Sequence, residues 1–141
     1  QSGYRSALAR LTADAEDNIS SAATWLLKSW LEKGGAITTK QTAELCAQMP
    51  GVTSWPAQLH LCQSIRFLDV TKDDAAAVHR WLIPLLAHDR PFVRAWSLDA
   101  LASLARQHSH LHDAFAKALE HAEQDEAASV RARARNIGPI A

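Results

Sequence analysis

The sequence predicts an all-α protein, and three observations carry that prediction. Alanine and leucine recur throughout at three- and four-residue spacing, which lines up one face of a helix. Alternating runs of Val, Ile, Thr and Tyr, the pattern of a half-buried strand, are missing. The chain is also cut repeatedly by residues that start or stop helices: Gly after a last apolar turn, Pro in a first turn, and Thr, Ser or Asp as N-caps.

The elements follow from those cuts. A short helix over Tyr4 to Ala13 ends at the acidic stretch Asp14 to Asp17. A longer one, Glu16 to Glu32, places Ile19, Ala23, Leu26, Leu27 and Trp30 on its inward face and stops at Lys33-Gly34-Gly35. Thr39 to Met49 ends at Met49-Pro50-Gly51, and Trp55 to Val70 opens with Pro56 in its first turn. Asp73 and Asp74 suit the start of the helix Asp73 to Ala87, where carboxylates meet the positive end of the macrodipole. Pro84 lies deep in that helix, removes a backbone bond and is expected to kink it. Pro91 to His108, Leu111 to Gln124 and Ala127 to Ile137 complete the set, separated by His88 to Pro91, His108 to His110 and Gln124 to Ala127. Paired in order, the helices make four hairpins at about 4–33, 38–70, 73–108 and 110–138 within a single domain, 1–141.

Composition narrows the function classes. A chain of 141 residues supports one continuous core, and 48% hydrophobic residues against 21% charged ones describe an ordered globule. Lys plus Arg and Asp plus Glu are both 15, giving a formal net charge of zero. No long-range field gathers polyanions, which counts against a dedicated nucleic-acid binder. Cys46 and Cys62 have no metal-ligand spacing and read as small buried apolar groups in a reducing compartment. No apolar run is long enough to span a bilayer, so a cytoplasmic protein with no membrane partner is expected.

The hairpins share an internal repeat. Val93-Arg94-Ala95 recurs as Val130-Arg131-Ala132, an offset of 130 − 93 = 37, with Asp89 and Asp125 ahead of the two copies. Shifting back by 36 lays Ala57, Leu61, Ile65 and Leu68 over Val93, Ser97, Leu101 and Leu104. Shifting back by 74 lays Ile19, Ala23, Leu27 and Trp30 over the same four. The Pro84 helix, the turn with Asp89 and the Val-Arg helix together resemble a HEAT repeat; the resemblance is motif-level over 82–137 and pattern-level before that. It implies a right-handed α-solenoid of about four HEAT-like hairpins. It also implies that Asp89 and Arg94, then Asp125 and Arg131, form a ladder between neighbouring units.

Chemistry-bearing clusters are few. His108, His110 and His112 with Asp113 are the best metal candidate, but they fall where one hairpin gives way to the next, so their imidazoles should diverge and no metal site is expected. No phosphate loop, nucleophile elbow or paired-histidine zinc motif is present, and neither enzyme activity nor a cofactor is expected. Arg131 and Arg135 share a side of their helix while Arg133 points nearly opposite, so these arginines make no single basic stripe. Among the tryptophans, Trp30, Trp55, Trp81 and Trp96 read as packing residues. Trp25 falls instead on the polar side of its helix with Ser21, Lys28 and Glu32.

Trp25 is therefore a candidate contact anchor. Gln63, Arg66, Asp99, Arg106 and Asn136 project away from the core in the same register. In HEAT-like solenoids the second helices line the concave side, which by resemblance gathers these residues with Trp25 into one groove of mixed charge. The expected function is a non-catalytic adaptor that binds a protein or peptide there. The alternative resemblance is to HEAT-like DNA alkylation repair glycosylases, in which Trp25, Trp96, Asp99, Arg106 and Arg133 would take the aromatic, acidic and basic parts. A chromophore-lyase-like HEAT protein is a third, without a particular residue to carry it.

Overall fold

A computed structural model describes Arg5 and residues 17–140. These residues form seven α-helices and no strand: α1 (Asp17–Glu32), α2 (Thr39–Gln48), α3 (Trp55–Ser64), α4 (Lys72–Leu86), α5 (Pro91–Gln107), α6 (His112–Glu123) and α7 (Ala128–Ile137). The helix expected over Tyr4 to Ala13 lies outside the described residues. Short 3-10 turns fill the gaps: Met49–Gly51 and Ser109–Leu111 fall largely on the expected breaks, while Ile65–Phe67 closes a helix that was expected to run on to Val70 but ends at Ser64. None of the described helices is long and apolar enough to cross a membrane.

Local chemistry sets the boundaries. Thr38 and Gln41 form a reciprocal capping box: the Gln41 amide donates to Thr38 Oγ1 at 3.1 Å and the Thr38 amide to Gln41 Oε1 at 2.9 Å. Ser54 caps α3 and Thr71 caps α4, with Asp73 and Asp74 in the first turn as expected. Gly34 at φ 93° and Gly138 at φ 67° end α1 and α7 in the left-handed region that a Cβ disfavours. Pro84 sits inside α4, whose last residue is Leu86.

Four helices stand in a row, α1 against α3, α3 against α5 and α5 against α7. On the flank, α4 and α6 pack on α5, α6 also packs on α7, and the main helical neighbour of α2 is α4. One continuous apolar cluster runs through the molecule from Leu27 and Leu31 to Val130 and Ala134. Helix α5 is its axis, with every residue from Ser97 to Ala105 buried. Small residues make that possible: Ser97, Ala100, Ala102, Ser103 and Ala105 let neighbours close on several sides of the same helix.

The register of α1 corrects the expectation. The buried residues are Ser20, Ala23, Thr24, Leu27 and Leu31, whereas Ile19, Leu26 and Trp30 are exposed, Trp30 by 42%. Ala23, Leu27 and Leu31 correspond to Ala57, Leu61 and Ile65, an offset of 57 − 23 = 34 rather than the expected 74 − 36 = 38. Polar contacts across the α1–α3 seam set this rotation. Thr24 Oγ1 and His60 Nδ1 share a hydrogen bond at 3.0 Å, the Ser21 and Ser54 hydroxyls meet at 3.0 Å, and Glu32 pairs with Arg66 at 3.3 Å. Trp30 is thus not a core residue. Its indole lies against Gly35, whose lack of a Cβ leaves room for the ring.

Candidate functional site

The row α1, α3, α5 and α7 carries the expected site residues, and the structure brings some of them together. Arg66, in the turn after α3, is exposed and lies over two rings, 4.7 Å from the centre of Phe67 and 5.2 Å from that of Trp96. Arg133 reaches from α7 to lie 4.2 Å from the same Trp96 ring. Since α3 and α7 flank α5, the indole receives one guanidinium from the turn after α3 and one from α7. Beneath it, Asp99 Oδ1 stands 3.9 Å from an Arg133 nitrogen.

Asp99 differs from its expected position at an open surface. It is 91% buried by the packing around α5 (9% exposed), and its Oδ2 is closed off without a hydrogen-bond partner. Burial raises the Asp99 carboxyl above the ordinary range, opposed by the charges of Arg133, Arg66 and Arg106. Gln63 is half-buried, with its Oε1 likewise enclosed and unpartnered. The repeat explains the likeness, since Gln63 and Asp99 are 36 residues apart and occupy the same place on neighbouring helices. Arg106 is exposed at the C-terminal end of α5, and Asn136 is exposed on α7. Trp25 is 52% exposed on α1, at the opposite end of the row from Asn136.

Trp96 and Arg133 are the members of this cluster that the binding-surface reading missed. Their signal is in the repeat: 133 − 96 = 37, the Val-Arg offset, so the two are equivalent positions on adjacent helices and must stand side by side. Glu32 was likewise passed over. Its pairing with Arg66 follows only from the corrected α1 register, since 66 − 32 = 34.

Zero net charge conceals a division between the two sets of helices. Those of the row, with the turn after α3, carry Lys28, Arg66, Arg94, Arg106, Arg131, Arg133 and Arg135 against Asp17, Glu32 and Asp99. The flanking α2, α4 and α6 carry Lys40, Lys72, Arg80 and Lys117 against Glu44, Asp73, Asp74, Asp113, Glu120 and Glu123. A basic row therefore stands beside an acidic flank.

The other sequence candidates have structural partners. Arg94 forks onto the Asp125 carboxylate, Nε to Oδ2 and Nη2 to Oδ1 at 3.0 Å each, and its Nη1 donates to the His88 and Asp89 carbonyls. Arg131 donates to the Asp125 carbonyl at 2.7 Å. The fork from Arg94 holds Asp125 below the usual carboxylate range. His108 Nε2 donates to the Val70 carbonyl at 2.7 Å, and its ring meets His110 edge-on at 5.8 Å. Among the described residues, no group of three potential ligands could hold a metal ion. Both thiols are free and buried, which pushes Cys46 up to about 12 and Cys62 higher still.

Two surface hollows lie elsewhere. A cleft of about 530 Å³ opens between α4, α5 and α6 over the Arg94–Asp125 pair, lined by Ile83, Leu86, Leu98 and Ala118 among others. A shallower one of about 340 Å³ is framed by Trp55, Arg90, Pro91, Phe92 and Ser129, with Arg90 lying 3.9 Å from the Trp55 ring centre. Trp55 is 38% exposed, so it is only partly the packing residue that was expected. Comparison with models of protein families, with curated proteins and with solved structures finds no match to this chain.

Proposed function

We propose that this protein is a non-catalytic adaptor, a right-handed solenoid of HEAT-like hairpins that binds a protein or peptide along the second-helix row. The observation that carries the reading is the assembly of Arg66 from the turn after α3, Trp96 from α5 and Arg133 from α7, with Trp25 exposed at the end of the same row. Two further features support the repeat architecture. The row of α1, α3, α5 and α7 is the order in which second helices of stacked hairpins follow one another. The Arg94–Asp125 fork joins neighbouring units as the expected ladder would. The free buried thiols suit the reducing cytoplasm.

A second reading, a DNA-binding relative of the HEAT-like alkylation repair glycosylases, draws on Asp99 beside Trp96 among three arginines. Two observations weigh against it. Asp99 Oδ2 is enclosed, out of reach of a substrate, and the Trp96 ring already carries two guanidiniums that a stacking base would have to displace. Titration with a generic duplex at about 50 and 200 mM salt separates the two readings. A grip on many phosphates would show tight binding that falls by roughly a thousandfold or more over that range. The adaptor reading expects weak binding at both concentrations, and it expects a partner isolated from the native host to be lost on Trp25→Ala with the fold unchanged.

A further inference from the structure

We infer that the partner presents an acidic polypeptide segment to the face around Trp96, with Arg66 and Arg133 as a pair of pre-formed carboxylate forks. The inference rests on the adaptor reading above and names the chemistry of its partner.

A guanidinium stacked on an indole uses its π face and leaves the in-plane N–H donors at its edges free to point outward. The Arg66 and Arg133 guanidiniums both lie over the Trp96 ring, their central carbons 5.2 and 4.2 Å from its centre. Their present acceptors occupy little of that capacity. Arg66 gives one nitrogen to Glu32 at 3.3 Å, and among the described residues Arg133 meets a carboxylate at Asp99, 3.9 Å away. Planar forks already fixed in place match carboxylates with little side-chain entropy left to lose on binding. Arg106 extends the cationic character along α5, while the flanking helices carry more acids than bases.

Discrete carboxylates suit this surface better than a nucleic-acid backbone does. Asp99 sits among the arginines and would repel a continuous polyanion running over it. Two guanidiniums already lie over the Trp96 ring, where a base would have to compete with them to stack. A polypeptide can place its acids on Arg66 and Arg133 and leave the position above Asp99 neutral.

The test uses the full chain and a fluorescein-labelled peptide of alternating glutamate and serine, followed by anisotropy at about 50 mM salt, where screening is weak. Saturable binding is expected, weakened about tenfold or more in Arg66→Gln/Arg133→Gln, as loss of two charge-assisted forks implies. Arg80→Gln, on the flanking α4, should bind as the parent does. Circular dichroism and melting check that each variant is folded. Arg66→Lys/Arg133→Lys keeps the charges but loses the flat stack, and it should bind several-fold more weakly than the parent. Equal affinity of that lysine pair, or an equal loss in Arg80→Gln, would overturn the paired forks. Absence of binding to both the spaced acidic peptide and a duplex overturns the acidic segment while leaving the adaptor reading to the Trp25 test. A duplex bound more tightly than that peptide, with a steep salt dependence, overturns both.

Discussion

At the scale of single residues, charge and burial pull two aspartates in opposite directions, and each makes a prediction. Asp125 is held low by the Arg94 fork, so the pair stabilises the fold above the unfolded carboxyl range, near pH 4, and this stabilisation is lost as pH falls through the lower folded value. Arg94→Ala should cost about 1–3 kcal/mol near neutrality, because it strands a largely buried carboxylate. Its deficit in melting temperature should be constant above about pH 5 and shrink under acid. An unchanged melt at pH 7 would refute a structural role for Arg94. Asp99 is raised, so its charged form opposes folding: stability is full below the unfolded value and lost as pH rises through the folded one. Asp99→Asn is therefore expected to match or exceed the parent in melting temperature at pH 7, with any advantage fading towards pH 4. A marked loss at pH 7 would mean that the approach to Arg133 outweighs desolvation. The sequence made the Arg94 pair readable through the Val-Arg repeat. It hid the burial of Asp99, because a single helical register does not report how closely α7 and its Arg133 pack over α5.

At the scale of elements, α5 concentrates the packing. Leu101→Ala should cost about 2–5 kcal/mol, the range for a buried leucine that leaves a cavity, measured by denaturant unfolding. A loss below about 1 kcal/mol would mean that the surrounding helices collapse onto the site. The last turn of α5 has a separate task. Gln107 accepts from the Val70 amide at 2.9 Å and donates to the Leu68 carbonyl at 3.0 Å, while His108 serves the Val70 carbonyl. These two residues do for the Leu68–Val70 connection what a neighbouring strand would do. Gln107→Ala leaves two buried backbone groups without partners and is expected to cost about 1–3 kcal/mol despite the exposure of Gln107 itself. Helix positions were legible to within a few residues because caps and breakers act locally. The rotation of α1 was not: Ile19, Leu26 and Trp30 form as plausible an apolar stripe as the one actually buried, and the deciding hydrogen bonds come from Ser54 and His60 on another helix.

At the scale of the whole molecule, one apolar cluster joins the described helices from α1 to α7, but their shares in it are unequal. Helix α7 contributes only Val130 and Ala134 as buried residues, against the continuous run from Ser97 to Ala105 in α5. Hydrogen exchange followed by mass spectrometry should find α5 amides slowest and α7 amides markedly faster, as sub-global opening from one end requires. Equal protection of the two helices would show that the stack opens only as a whole. The candidate surface was partly legible at this scale, since repeat offsets place Gln63, Asp99 and Asn136 on successive helices. Its sign was not, because a net charge summed over 141 residues does not report that the row carries more bases than acids and the flank more acids than bases. The anchorage of the Leu68–Val70 connection by Gln107 and His108 then bears on elasticity. It rivets the connection between α3 and α4 to the far end of α5, so this joint behaves as a stiff hinge plate. Bending of the row should be taken up at the α1–α3 and α5–α7 seams, leaving the two arginines beside Trp96 to move relative to each other chiefly through the swing of α7.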